Sequence, residues 1–100
     1  MKVLISRGYG AGWSTWNTPQ MAIDLDLIEL FEKGCTEEEM YELCVQKGYT
    51  DNFGGKPYMG GFDGLEIQSV PQGEYFKILE YDGSESISIL NSNSWFYAEY

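Results

Sequence analysis

The chain has 100 residues, and its 6 Lys and Arg against 16 Asp and Glu give a formal net charge of −10. This length, with an aromatic share of 16%, predicts one folded domain over residues 1–100 rather than two domains or a disordered chain. The sequence contains no His, which excludes imidazole-based catalytic triads and His-containing metal sites. We therefore expect a binding protein that is not an enzyme and that uses no cofactor or metal ion.

The first predicted elements are a strand and a long helix. Apolar side chains alternate over residues 2–6, and a cluster of glycines ends this strand. Thr18 followed by Pro19 indicates a helix start, because Thr can cap free amides and Pro loses no hydrogen bond at the first helical position. Apolar residues at helical spacing extend the predicted helix to about Lys33, and Gly34 ends it.

A capping box predicts a second helix. Thr36 is the cap residue, Glu39 reaches back to it, and the acidic first turn faces the positive end of the helix dipole. The helix extends to about Lys47, where Gly48 provides a left-handed stop.

The remainder predicts a long loop followed by short strands. Glycines and aromatic residues interleave over residues 48–64 without a helical or strand period. Asp82-Gly83 is a type I′ hairpin signal. Alternating segments predict strands at 65–70, 75–81, 85–90 and 95–100. We predict an α+β fold in the order β-α-α-β-β-β-β, an antiparallel sheet of four to five strands with a two-helix hairpin packed on one face.

The two cysteines and the N-terminal segment bear on the cellular compartment. Cys35 and Cys44 fit no CxxC redox or zinc spacing, so we expect reduced, buried thiols. The apolar run after Met1 is too short for a signal peptide, and nothing reaches transmembrane length. We expect a cytoplasmic protein without a membrane partner.

A segment of three glycines and three aromatic residues follows the first strand, at residues 7–17. A dinucleotide-binding fingerprint needs Gly where Trp13 stands, and a Walker A loop needs Lys before Ser or Thr, so neither phosphate-binding motif fits. Two interpretations of this segment are left. Its aromatic residues Tyr9, Trp13 and Trp16 are either anchors of an interface, or core residues between glycines that form turns.

Carboxylates offer the remaining acid–base chemistry. Five of them surround the predicted hairpin and the long loop: Asp63, Glu66, Glu80, Asp82 and Glu85. No spacing selects a catalytic pair or a calcium loop among them.

Two segments resemble known proteins. The segments are Arg7-Gly8-Tyr9-Gly10-Ala11-Gly12-Trp13-Ser14-Thr15-Trp16 and Phe76-Lys77-Ile78-Leu79-Glu80-Tyr81-Asp82-Gly83-Ser84-Glu85. They resemble small proteins encoded by phages and prophages of Gram-positive bacteria. The size and acidity of the chain are also similar to those of anti-CRISPR and other anti-defence proteins, and this resemblance implies an inhibitor that occupies a nucleic-acid groove of a host nuclease.

The leading functional hypothesis is a phage-type inhibitor that acts in the host cytoplasm as a DNA mimic. Its acidic charge repels nucleic acid, so we expect no direct contact with DNA or RNA. The expected partner is a host defence protein with a basic groove, such as a CRISPR effector or another nuclease. The expected partner-binding residues are Glu37, Glu38, Glu42, Asp82, Glu85, Tyr9, Trp13 and Trp16. The same charge is also explained by solubility alone.

The alternative hypothesis is a sponge for a nucleotide signal. Aromatic residues of the two glycine-rich loops would stack on the base: Tyr9, Trp13, Trp16, Tyr58 and Phe62. An anionic ligand would require Arg7 and Lys56 to line the pocket. The sequence leaves the oligomeric state open, and a structural or regulatory phage protein also fits.

Overall fold

A computed structural model describes residues 1–90 of the chain. Its regular elements are strand β1 (Lys2–Ser6), helix α1 (Leu25–Glu32), helix α2 (Glu37–Gln46), strand β2 (Leu65–Ser69), strand β3 (Tyr75–Tyr81) and strand β4 (Ser84–Leu90). Two short 3-10 helices, Pro19–Ala22 and Phe62–Gly64, precede α1 and β2. The α+β class and the order β-α-α-β-β-β are as predicted. The predicted strand at 95–100 lies outside the described residues.

The prediction of a single sheet of four to five strands is wrong. The four described strands form two separate two-stranded antiparallel sheets, β1 with β2 and β3 with β4. Leu4 of β1 lies opposite Ile67, and Ile78 of β3 lies opposite Ile87. The reason is that β1 carries apolar side chains on both faces, and both faces must be buried. The β3–β4 hairpin packs on one of these faces.

Strand β1 separates two apolar clusters. Leu4 belongs to the cluster that contains Met40 and Cys44 of α2. Val3 and Ile5 belong to a second cluster, against which the half-buried side chains Phe76, Ile78, Ile87 and Ile89 of the hairpin pack. Because successive side chains of a strand point to opposite faces, the helices and the β3–β4 hairpin lie on opposite sides of β1.

The long predicted helix is interrupted before α1. Its first part is the 3-10 helix Pro19–Ala22, and Asp24 then has an extended backbone and starts α1 as its N-cap. One carboxylate oxygen of Asp24 accepts hydrogen bonds from the amides of Asp26 at 2.9 Å and Leu27 at 3.2 Å. A side chain that satisfies these free amides favours a new helix start over continuation of the old helix.

The other local signals are confirmed. The Thr36 hydroxyl accepts from the Glu39 amide and the Glu39 carboxylate accepts from the Thr36 amide, which completes the capping box of α2. Asp82 and Gly83 both have positive φ, at 49° and 85°, as a type I′ turn requires. Both cysteines are free, as predicted, but the predicted burial holds for Cys44 alone, because Cys35 is half-buried. Burial, followed by the charge of Asp24, raises the pKa of Cys44 to about 12.

Candidate functional site

Helix α2 presents an acidic surface, which we define as Glu37, Glu38 and Glu42. All three residues are exposed, and within residues 1–90 none of them forms an ion pair. Glu38 and Glu42 line a cleft of about 510 Å³ together with residues of α1, α2 and the cap, namely Leu30, Thr36, Glu39, Leu43 and Gln46. Three of the predicted partner-binding carboxylates therefore lie on one helix.

The spacing within this acidic surface has an energetic consequence. Glu37 and Glu38 lie in the first helical turn, where the helix dipole favours negative charge. Glu42 follows Glu38 by four positions, and like charges at this spacing repel each other on a helix surface. The helix thus carries a carboxylate at Glu42 that its own fold does not require.

Two lysines of residues 1–90 form ion pairs with carboxylates outside the acidic surface. The Lys47 ammonium lies 2.6 Å from a carboxylate oxygen of Asp26 and 3.1 Å from one of Asp24, while Lys2 lies 2.6 Å from Glu32. Burial raises the pKa of Asp24, but hydrogen bonds from Tyr49, Lys47 and two backbone amides outweigh it and hold the pKa below its usual value. Lys47 thus joins the end of α2 to the start of α1, Lys2 joins β1 to α1, and neither lysine pairs with a carboxylate of the acidic surface.

Glu85, the second hairpin carboxylate of the inhibitor hypothesis, is fully buried. Oε1 accepts from the Ser6 amide at 2.9 Å, and Oε2 accepts from the Trp13 amide at 2.8 Å and from the amide and hydroxyl of Thr15. The expectation that Glu85 imitates a phosphate does not agree with this burial. Glu85 instead joins β4 to β1 and to the first glycine-rich segment.

The three predicted aromatic anchors have different environments. Trp13 is fully buried in the helical cluster, and its indole nitrogen donates to the carbonyl of Met21, so it is a core residue rather than an anchor. Tyr9 is 75% exposed, and the hydrogen bond from the Gly10 amide to the Asp82 carbonyl places it beside Asp82, the exposed residue of the hairpin turn. Tyr9 and Asp82 are thus close together but lie across β1 from the acidic surface of α2.

The third predicted anchor, Trp16, belongs to an aromatic cleft. We define this aromatic cleft, an open depression of about 290 Å³, by its lining residues Trp16, Asp51, Asn52, Phe53 and Tyr58. The rings of Trp16 and Tyr58 lie 5.8 Å apart between centroids, at an interplanar angle of 31°. Phe53 is 96% exposed at the rim.

Hydrogen bonds between the two glycine-rich loops hold the aromatic cleft together. The Asn17 side chain donates to the carbonyls of Trp13 and Tyr58 and accepts from the Tyr58 amide at 2.7 Å. Thr18 and Thr50 exchange two further hydrogen bonds. The loop at 48–64 is therefore fixed against the segment at 7–17.

The sequence analysis did not single out Asn17, Asp51, Asn52 or Phe53. A signal was present, because Asp51 precedes Gly54 and Gly55 in a pattern typical of a side-chain-closed turn. Its Oδ1 atom accepts from the amides of Phe53 at 2.9 Å and Gly55 at 2.8 Å. This turn places Phe53 at the rim of the aromatic cleft.

The residues proposed for a nucleotide sponge are only partly brought together. Trp16 and Tyr58 share the aromatic cleft, whereas Trp13 is in the core and Phe62 packs against the helical cluster. Neither Arg7 nor Lys56 is among the residues that line the cleft. The geometry thus lacks the two cations that an anionic ligand would need.

A metal centre and a membrane-spanning helix are absent from residues 1–90. In this part of the chain, His, Cys, Asp and Glu side chains form no group of three suited to a metal ion. None of its helices combines the length and apolar character needed to cross a bilayer. Comparisons with known proteins found no matching family model, no similar curated protein and no similar solved structure.

Proposed function

We propose that this protein is a phage-type inhibitor that binds a basic groove of a host nucleic-acid-handling defence protein, of the kind that CRISPR effectors and other nucleases possess. The acidic surface of α2 would occupy the positions of nucleic-acid phosphates. Asp82 and Tyr9 at the hairpin turn provide a second contact region. Glu85 and Trp13 are omitted from the contact set because both are buried.

The observation that carries this proposal is the pair Glu38 and Glu42. Both carboxylates are exposed, line the same cleft, and have no cationic partner within residues 1–90. Their mutual repulsion is relieved when a cationic surface is docked against them. The net charge of −10 adds a long-range field that speeds encounter with a basic partner.

The resemblance of two segments to phage and prophage proteins supports the choice of a bacterial host protein as the partner. The absence of His and of a catalytic carboxylate pair in the sequence supports inhibition by occupation of a groove rather than by chemistry. Solubility alone would account for the total charge, but it does not require two adjacent carboxylates on one helix face.

A pull-down with matched charge variants tests the proposal. The tagged chain is used as bait in a lysate of a Gram-positive bacterium with an active CRISPR system, at low and high salt. Glu38→Gln/Glu42→Gln removes two charges from the acidic surface, and Glu66→Gln/Glu74→Gln removes two exposed charges elsewhere. We expect a nucleic-acid-binding protein that is captured at low salt, released at high salt, and lost with the first double variant only.

Two results would contradict the proposal. Equal capture by both double variants would show that the acidic surface of α2 is not the contact. Capture only of proteins that bind no nucleic acid would contradict the choice of partner class.

A further inference from the structure

The aromatic cleft presents free hydrogen-bond acceptors and ring faces, and each of its two side-chain nitrogen atoms already donates one hydrogen bond. The indole nitrogen of Trp16 donates to Oε2 of Glu80 at 3.2 Å. The side-chain nitrogen of Asn52 donates to the carbonyl of Thr15 at 3.0 Å. Asp51 Oδ2 and Asn52 Oδ1 accept no hydrogen bond within residues 1–90. These two free oxygens suit a ligand that brings hydrogen-bond donors.

The charge of the aromatic cleft also bears on the kind of ligand that it can bind. Asp51 is its acidic lining residue, and the Glu80 carboxylate lies beside the indole ring of Trp16. No Lys or Arg of residues 1–90 lines the cleft, so an anionic ligand would meet repulsion without compensation. A cationic ligand would be attracted by both carboxylates.

The ring faces also favour a cation. Trp is the strongest cation–π acceptor among the aromatic side chains, and Tyr58 and Phe53 add two further rings. The Glu80 carboxylate that accepts the indole hydrogen bond adds negative charge beside the ring. This arrangement strengthens attraction for a positive charge on the ring face.

We propose that the aromatic cleft binds the guanidinium group of an arginine side chain from a protein partner. A guanidinium is planar, stacks on aromatic rings, is always charged, and has five N–H donors for the free oxygens of Asp51 and Asn52. The volume of about 290 Å³ lies just below the range of about 300–1,000 Å³ for small-molecule sites, which suits one side chain rather than a nucleotide.

This inference does not depend on the proposed function of the acidic surface of α2. It concerns different residues, and a small arginine derivative tests it without any protein partner. Failure of the α2 variants in the pull-down would leave the cleft intact, and failure of the cleft to bind arginine would leave the α2 proposal intact.

The test is an NMR titration of the full ¹⁵N-labelled chain with three probes. N-acetyl-arginine amide carries the guanidinium, N-acetyl-citrulline amide has a similar shape without the charge, and AMP is an anionic aromatic ligand. We expect saturable shifts of the Trp16 indole N–H and of the Phe53 amide with the arginine probe. The citrulline probe should bind at least about threefold more weakly, and AMP should give no saturable shift. Equal binding of arginine and citrulline, or no saturable shift with arginine, would overturn the proposal.

Two variants with matched controls locate the binding. Phe53→Ala removes an almost fully exposed ring, and Asp51→Asn removes the charge while keeping an oxygen for the turn. Each should weaken arginine binding about threefold or more. The controls Tyr75→Ala, another exposed ring, and Asp82→Asn, another loop charge, should bind as the unmodified chain does. Unchanged affinity in Phe53→Ala and Asp51→Asn would contradict the proposed site.

Discussion

The carboxylate of Glu85 accepts a 2.8 Å hydrogen bond from the backbone amide of Trp13, a residue 72 positions earlier in the chain. The same carboxylate accepts from Ser6 and twice from Thr15. One buried side chain therefore joins β4, β1 and the glycine-rich segment that leads to the aromatic cleft. The position of Trp16 depends on this junction, since Trp16 directly follows Thr15.

Removal of the Glu85 carboxylate should destabilise the fold strongly. Glu85→Ala leaves the amides of Ser6 and Trp13 buried without acceptors, and we expect a loss of about 3 kcal/mol or more in the free energy of unfolding. Glu74→Gln, at an exposed position, should change it by less than about 0.5 kcal/mol. Urea denaturation measures both, and equal stability of the two variants would contradict the role of Glu85.

The hairpin turn should tolerate no side chain at Gly83. Gly83 and Gly73 share a φ of 85°, but a Cβ at Gly83 would lie 2.3 Å from the Ala11 nitrogen, whereas one at Gly73 would meet no atom within 4 Å. Gly73→Ala should cost about 1–2 kcal/mol for its backbone conformation alone. Gly83→Ala should cost a further 1–3 kcal/mol or so, because the backbone at Ala11 must move. Equal midpoints in urea would show that the turn does not contact Ala11 closely.

Acid should weaken the link between α1 and the end of α2. The pKa of Asp24 is held below its usual value in the folded state, so the unfolded state binds its proton first as the pH falls. The stabilisation by Asp24 is fully present above its pKa in the unfolded state, which is near 3.8. It is lost as the pH falls through the lower pKa of Asp24 in the folded state. Asp24→Asn should be less stable at neutral pH and should lose less stability on acidification, as measured by urea denaturation at several pH values. A loss on acidification as large as in the unmodified chain would contradict this account.

Alkali should also destabilise the fold through the acidic groups of Cys44 and Tyr49. Burial first, and then the charge of Asp24, raises the pKa of Cys44 from 9.0 to about 12, and burial with the Asp24 hydrogen bond raises that of Tyr49 from 10.0 to about 12. The unfolded state therefore releases these protons first, and stability falls between about pH 9 and 12. Cys44→Ala should show a shallower fall over this window when stability is followed by urea denaturation. If stability fell with pH as steeply in Cys44→Ala as in the unmodified chain, the proposed contribution of Cys44 would be contradicted.

Local structure was predictable where the signal lies within a few residues. The capping box of Thr36 and Glu39 and the turn at Asp82-Gly83 depend on neighbouring residues only, and both are confirmed. The Asp24 cap was missed because its apolar surroundings continue the helical spacing across it. From sequence alone, it is difficult to decide whether such a cap or the continuing apolar periodicity determines where the helix starts.

The tertiary arrangement was less predictable because it depends on long-range contacts. Strand β1 carries apolar residues on both faces, which agrees with the observed arrangement of two sheets. The same pattern is also compatible with a central strand of one sheet, so the sequence does not distinguish the two arrangements. Alternation places Glu85 on the same face as Ile87 and Ile89, and this face is the one packed inward. That pattern could have indicated burial of Glu85, but its amide donors lie more than 65 positions away.

The most direct test of the proposed inhibitor is competition with nucleic acid. Labelled nucleic acid is bound to the purified defence protein recovered in the pull-down, and its release by this chain is followed by fluorescence anisotropy. We expect release by the unmodified chain and by Glu66→Gln/Glu74→Gln, and release at least about tenfold weaker by Glu38→Gln/Glu42→Gln. Release by Glu38→Gln/Glu42→Gln at the same concentration as the unmodified chain would contradict the central claim that the acidic surface of α2 replaces nucleic-acid phosphates.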